Sequence, residues 1–94
     1  MYGIIIDVNV DPTREEEARN MLNNMVVPTA KTHQGIVAGY WLRALEGTTL
    51  RSIQLYDIEA NANATAERIR SQDPPPDAPV TLVSVSTYEV IAQV

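Results

Sequence analysis

The sequence contains no cysteine and no phenylalanine, and it has a single histidine, His33, and a single tryptophan, Trp41. The absence of cysteine excludes disulfides, thiolate nucleophiles and cysteine-based zinc sites, and a small domain without disulfides fits the cytoplasm. Without phenylalanine the core must be mainly aliphatic, with Trp41 and four tyrosines as the only large rings.

Basic residues are also scarce, and the net charge is −5. This balance argues against nucleic acid and against an anionic membrane surface as partners. No apolar run is long enough to span a bilayer, and the N-terminus lacks the pattern of a signal peptide, so we expect a cytoplasmic protein. A chain of 94 residues predicts a single domain, 1–94, which would gain useful buried area by oligomerisation.

Periodic patterns predict six elements in the order strand, helix, strand, strand, helix, strand. The strands are predicted over Tyr2–Val10, Gly35–Ala44, Leu50–Asp57 and Val80–Val94. The second helix is predicted over Glu59–Ser71, and the following QDPPPDAP, residues 72–79, must be a loop.

The first helix has a clear beginning and a predicted break. Asp11 is a good N-cap and Pro12 suits the first helical position. Pro28 should kink or split the helix and leave Thr29–His33 as a short second piece.

This element order is the split βαβ pattern of a ferredoxin-like α+β sandwich, with a four-stranded antiparallel sheet and both helices on one face. Both faces of the predicted sheet are largely apolar. By alternation, one face is predicted to carry Ile4, Ile6, Val8, Leu42, Leu50 and Leu82, and the other Ile5, Val37, Trp41, Ile53, Leu55, Val83, Val85 and Ile91. The helices cover only one face, so we expect a homodimer in which a second sheet covers the other.

Two stretches of the chain resemble the dimeric α+β barrel superfamily, and within it the antibiotic biosynthesis monooxygenase-like group. HQGIVAGYWLR resembles the family's entry from the first helix into the second strand, and QLYDIEANANA resembles its passage from the third strand into an alanine-rich helix. The resemblance extends over nearly the whole chain. It implies a dimeric barrel that uses no cofactor when it oxidises aromatic substrates with dioxygen, although other members degrade haem or act on small quinols and lactones.

The family's functional residues are only partly matched. Its oxygenases carry an asparagine and a tryptophan on the third strand, where this chain has Ser52 and Tyr56. Its haem-degrading members need a histidine on the second helix, and Glu59–Ser71 contains none, which argues against haem degradation.

A group of polar and aromatic residues predicts a small-molecule site, because such sites have apolar and aromatic walls with a few polar groups. Numbering parity places Tyr40, Ser52, Gln54 and Tyr56 together along the hairpin, and Trp41 and Leu42 complete the predicted binding set. The predicted proton acceptors are Asp7, Asn9 and His33. Each has a simpler interpretation: packing for Trp41 and the tyrosines, a strand end for Asp7 and Asn9, and a helix-dipole partner for His33.

Two functions of different class follow. The chain is either a cofactor-independent monooxygenase-like enzyme on a small aromatic or quinol substrate, or a non-catalytic dimer that binds a small ligand or serves as a stress-associated module. Neither requires a metal, and no metal-ligand spacing is present.

Overall fold

The computed structural model describes residues 1–72 and 77–94, and its elements follow the predicted order. The strands are β1 (Tyr2–Val10), β2 (Ile36–Arg43), β3 (Thr49–Tyr56) and β4 (Val80–Glu89). The helices are α1 (Glu15–Met21), α2 (Val27–Ala30) and α3 (Glu59–Ser71), with a π-helical turn, Leu22–Val26, between α1 and α2. The predicted loop 72–79 lies partly outside the described residues, at 73–76.

The four strands form one antiparallel sheet in the order β2-β3-β1-β4, so the predicted ferredoxin-like α+β architecture is confirmed. The core lies between this sheet and α3. It is small, and its fully buried members are Ile4, Ile6, Tyr56, Ala62 and Ala66. Alanines on α3 let the helix approach the sheet closely, which leaves room for the large ring of Tyr56.

The first helical segment differs from its prediction at both ends. Asp11 caps a turn, since its Oδ1 accepts hydrogen bonds from the Thr13 backbone N–H at 2.9 Å and the Thr13 hydroxyl at 2.8 Å, and the helix begins only at Glu15. The predicted break is present in another form, because a π-helical turn, Leu22–Val26, separates α1 from α2. The second piece is Val27–Ala30 and not the predicted Thr29–His33. Pro28 is the second residue of α2, and its missing N–H favours an irregular turn just before it.

The last strand is shorter than predicted. It ends at Glu89, and the Val90 N–H then donates to the Met1 carbonyl at 2.9 Å. The remaining residues to Val94 are largely exposed and lie outside the sheet. The prediction of a strand reaching Val94 is therefore wrong beyond Glu89.

The two faces of the sheet also differ from the predicted assignment. Trp41 pairs with Ser52 and Tyr40 pairs with Ile53, so Trp41 faces the helices and Tyr40 faces away. Over most of this hairpin an even-numbered residue pairs with an odd-numbered one, so even positions of β2 lie there on the same face as odd positions of β3. The turn sets this pairing, and residue numbers alone cannot reveal it. For the same reason Leu42 lies on the open face. Val85 lies on the helix face because the separate register between β1 and β4 places it opposite Ile6.

The open face is mainly apolar at its centre, with one ion pair and with Ser84 and Ser86 as polar residues on β4. By register it carries the side chains of Ile5, Asp7, Tyr40, Leu42, Arg51, Ile53, Leu55 and Tyr88. Several of these are large and exposed, among them Tyr40, Leu42 and Tyr88. A contiguous apolar face of this kind is typical of a protein interface.

Gly35 joins the end of the helical segment to β2 in a conformation that requires glycine. Its φ is +79°, and a β-carbon there would lie 2.2 Å from Asp57 Oδ1 and 2.3 Å from Asn61 Nδ2. Those two groups already bond each other at 2.8 Å and anchor the start of α3, where Asp57 Oδ1 also accepts the Ile58 N–H. The backbone of Gly35 adds a bond from its carbonyl to the Asp57 N–H at 3.0 Å.

We expect Gly35→Ala to lower the free energy of unfolding by more than about 2 kcal/mol, because a left-handed backbone cost adds to the disruption of the Asp57 cap. Gly47→Ala is the matched control. Gly47 has φ +87° but open space around it, so it should lose only about 1 kcal/mol. Urea unfolding of both variants measures the difference, and equal losses would contradict the role of the Asp57 contact.

Candidate functional site

A chain of buried hydrogen bonds runs along the helix-facing side of β3. The Tyr56 hydroxyl lies 2.8 Å from Gln54 Oε1, and Gln54 Nε2 lies 3.2 Å from Ser52 Oγ. At its other end the Tyr56 hydroxyl lies 3.0 Å from His33 Nδ1. Ser52, Gln54 and Tyr56 are all buried, and alternation along the strand places them on one face.

The orientation of the Gln54 amide determines the tautomer of His33. With Gln54 Oε1 toward Tyr56 and Nε2 toward Ser52, the Tyr56 O–H donates to Oε1, its oxygen accepts from His33, and Nδ1 carries the hydrogen. In neutral His33 the lone pair is then on Nε2. The backbone holds this geometry, because the His33 N–H donates to the Ala30 carbonyl and the His33 carbonyl accepts the Ile36 N–H.

The surroundings keep His33 neutral. Burial lowers the pKa of its imidazole below 6.5, and the positive charge of Arg68 lowers that pKa further, while the Gln54 side chain acts in the opposite direction. Burial also raises the pKa of the Tyr56 hydroxyl above 10.0, with Thr65 and Arg68 opposing it. At neutral pH the chain therefore joins an uncharged imidazole to an uncharged phenol.

A cavity of about 500 Å³ lies beside these hydrogen-bonded side chains, between the helical segment and the β2–β3 hairpin. This volume is within the range of small-molecule sites. Its apolar lining comprises Val10, Ala18, Leu22, Val27, Trp41 and Leu50. Its polar lining comprises Glu15, Arg19, Asn23, Tyr40, Arg43, Thr48 and Thr49, and Gly39 and Gly47 complete the wall.

Trp41 forms the wall between the cavity and the polar chain. Its cross-strand partner is Ser52, and its ring lies over Gly39, where a β-carbon would be 3.1 Å from the indole Cη2. Gly39 in turn pairs with Gln54. Ser52 and Gln54 thus lie directly behind the cavity wall without lining it, and a β-carbon at position 39 would crowd the indole.

The structure brings together five of the residues nominated from the sequence. The hydrogen-bond chain contains four of them: His33, Ser52, Gln54 and Tyr56. The fifth, Trp41, is the cross-strand partner of Ser52. The prediction that Tyr40 shares a face with Ser52, Gln54 and Tyr56 is wrong, because the register places its side chain, like that of Leu42, on the open face. Tyr40 nevertheless lies next to Trp41 at the edge of the cavity and is one of its lining residues.

Asp7 and Asn9 are likewise separated from the polar chain. Asp7 is held by Arg51, whose Nε and Nη2 lie 2.8 Å and 3.0 Å from its two carboxylate oxygens on the open face. That hydrogen bonding lowers the pKa of Asp7, so its carboxylate is a poor proton acceptor. Asn9 is exposed near the end of β1, opposite Thr49 and Thr81.

The sequence pattern did not identify the helical contributions to the site. Thr65 is buried on α3, and its hydroxyl accepts a hydrogen bond of 3.3 Å from Arg68, the cation that acts on His33 and Tyr56. Leu22 and Asn23 reach the cavity from the π turn. The only signal for that turn was Pro28, which predicted an irregularity without its form.

Within residues 1–72 and 77–94 no three acidic, histidine or cysteine side chains cluster as a metal site would require. Across the same residues, no helix has the length and apolarity needed to cross a bilayer.

Comparison of the whole fold with solved structures gives several full-length likenesses. HapK from Hahella chejuensis superposes with a TM-score of 0.72 at 13% identity, over 99% of this chain and 95% of that one. The heme-degrader MhuD from Mycobacterium tuberculosis, with two hemes in its active site, gives 0.75 at 15% identity, over 100% and 99%. The ActVA-Orf6 monooxygenase from Streptomyces coelicolor, in complex with nanaomycin D, gives 0.62 at 12% identity, over 99% and 89%.

This chain shares its subunit fold with these three proteins. The resemblance drawn from HQGIVAGYWLR and QLYDIEANANA is thereby confirmed at the level of the subunit fold. No family model and no curated protein matches the sequence itself.

The haem chemistry of one neighbour was tested against the donor atoms of this chain. His33 is the only histidine, it bonds Tyr56 through Nδ1, and it does not line the cavity. Of the residues that line the cavity, only Tyr40 is of a type that ligates haem iron, and its place in the register turns its side chain to the open face of the sheet. The residues present therefore do not fit haem ligation.

The single histidine makes its environment directly measurable. A proton NMR titration should give a midpoint below 6.5. Arg68→Gln should raise that midpoint, since it removes a neighbouring positive charge, whereas Arg70→Gln should not, because Arg70 is held by Glu67 and the Val85 carbonyl. A midpoint unmoved by Arg68→Gln would contradict the assigned cause.

The lowered pKa of His33 also predicts a pH-dependent stability. Because the unfolded chain would bind a proton at His33 more readily than the folded one, acidification from about pH 7 to 5 should lower the free energy of unfolding.

Proposed function

We propose that this chain is a cofactor-independent monooxygenase-like protein that acts on a small aromatic or quinol substrate, and that it works as a cytoplasmic homodimer. The observation that carries this proposal is the Trp41-walled cavity backed by a buried hydrogen-bond chain that ends at a neutral histidine. The monooxygenase among the structural neighbours supports the reaction class.

The reaction would need a proton acceptor and an electron-rich substrate. His33 takes a proton on Nε2 as the substrate ionises, and the Tyr56 hydroxyl holds the imidazole in the tautomer that accepts it. The substrate anion itself reduces dioxygen. For an anthrone, one oxygen atom becomes the new carbonyl, the ring methylene loses two hydrogens, and the second oxygen leaves as water.

Substrate binding would use the walls of the cavity. Trp41 offers a flat aromatic surface, and Leu22 and Val27 close over it from the helical side. For the substrate to approach the polar chain, the indole must move from its position over Gly39. We assign Tyr40, Leu42 and Asp7 to the subunit interface instead, because they lie on the open face.

Oxygen uptake by the purified protein with a panel of anthrones and quinols tests this function. We expect uptake above each substrate's own autoxidation, and Tyr56→Phe should lower the enzymatic part about 100-fold because the histidine loses its orienting partner. Tyr88→Phe is the matched control, since Tyr88 lies on the open face, and it should keep full uptake. Equal uptake in the two variants would contradict the role of the polar chain.

A non-catalytic ligand-binding dimer is the second candidate, and one observation favours it. Gln54 separates Ser52 from Tyr56, and an amide does not pass a proton along a chain as a hydroxyl does. A proton from the cavity therefore cannot reach His33 through these hydrogen bonds, and the first proposal depends on the Trp41 indole moving so that the substrate meets His33 Nε2 directly. Ligand binding in the cavity without oxygen uptake across the panel would establish this alternative.

The homodimer is supported by the apolar open face of the sheet. Leu42→Lys would bury an ammonium in a sheet-to-sheet interface, and we expect sedimentation velocity to show a shift from dimer to monomer. Leu45→Lys is the control, because Leu45 is fully exposed in the β2–β3 turn and should leave the dimer intact. A wild-type protein that sediments as a monomer at tens of micromolar would overturn this part of the proposal.

A further inference from the structure

The mouth of the cavity carries two arginines, and the structure neutralises only one of them. Arg43 Nη2 lies 3.2 Å from Glu15 Oε1. Arg19 lines the same cavity and forms no salt bridge with any carboxylate in the described part of the chain. Glu15 lies four residues before Arg19, the spacing at which such pairs form on a helix, yet it is engaged by the strand.

Asn23 adds a second donor on the same side. It follows Arg19 by four residues, so the two side chains are neighbours on one helical face, and both line the cavity. A guanidinium beside a carboxamide offers several N–H groups to one acceptor. Carboxylate oxygens match that arrangement, because arginine can bind both of them at once.

The opposite side of the cavity is apolar and flat. The Trp41 indole lies across Gly39, and Leu50 and Val10 extend the surface toward the hairpin turn. A planar ring system buried there would leave a polar substituent pointing back to the helical side. The chain as a whole is acidic, so an anion would be attracted only where unpaired arginine is concentrated.

We infer that the cavity selects a planar aromatic carboxylate, with the ring against Trp41 and the carboxylate bound by the Arg19 guanidinium and the Asn23 amide. The inference rests on the proposed function, because both require that this cavity binds the ligand. It adds the chemical class of that ligand and makes Arg19 the residue that determines specificity.

Two probes of the same shape and different charge test this assignment. We expect 2-naphthoate to bind the wild-type protein about tenfold more tightly than 2-naphthamide by isothermal titration calorimetry. The indole N–H of the single tryptophan should shift in NMR spectra with both probes, which places them in the cavity. Arg19→Gln should lower the affinity for 2-naphthoate to that for 2-naphthamide and leave the affinity for 2-naphthamide unchanged.

Arg14→Gln is the matched control on the same helical segment. Arg14 pairs with Glu17 and Asp77 away from the cavity, so its loss should leave the preference for naphthoate unchanged. Should Arg19→Gln fail to fold by circular dichroism, the salt dependence of the wild type replaces it, and the preference should shrink as sodium chloride rises.

The possible results distinguish the carboxylate assignment from the proposal that this cavity binds substrate. Equal affinities in the wild type, or a preference that survives in Arg19→Gln or is insensitive to salt, would overturn the carboxylate assignment and leave the cavity as a ligand site. No indole shift and no heat with either probe would overturn both the assignment and the proposal that this cavity binds substrate.

Discussion

The Tyr56 hydroxyl is the group on which the interior of this protein depends. It is fully buried, and it satisfies both Gln54 and His33 at once. Without it a buried amide oxygen and an imidazole N–H would each lose a partner, at a cost comparable to a sizeable part of a small domain's stability. The ring of the same residue fills the centre of the core, so Tyr56 joins apolar packing and polar order in one side chain.

This constraint explains why the helix-facing side of β3 is polar where a simple sandwich would place aliphatic residues. Ser52, Gln54 and Tyr56 occupy successive inward positions, and the described structure leaves no buried side-chain polar atom in that region without a partner. Ile53 and Leu55 are turned to the open face instead. That exchange accounts for a modest core and for a sheet whose open side is more hydrophobic than a monomer requires.

Much of the fold could be predicted from the sequence, because local rules govern it. Strand β1 and helix α3 were predicted with their observed bounds, since alternation, an alanine-rich periodic run and flanking loop signals all agree there. The register of the hairpin was beyond those rules. It depends on how the turn after Arg43 closes, and one step of register moved Tyr40 and Trp41 to opposite faces.

The candidate site was predictable only in part, for the same reason. His33, Ser52, Gln54 and Tyr56 stand out as rare or polar residues in apolar surroundings, and they do meet. Asp7 was an equally good candidate by type, but its bond to Arg51 is a pairing across strands that spacing along the chain does not encode. The cavity itself needed the π turn, whose position follows from helix packing and from Pro28 together.

The π turn has a consequence for how this fold varies. A widened turn amounts to one surplus residue in a helix, which the segment can gain or lose while the helix on either side remains intact. Such a change would rotate the side chains on one side of the turn relative to those on the other and so exchange the residues presented to the cavity. The sheet, the Gly35 junction and the buried chain would be untouched. Evolution could therefore alter ligand preference through the length of one helical segment while the framework of the protein is conserved.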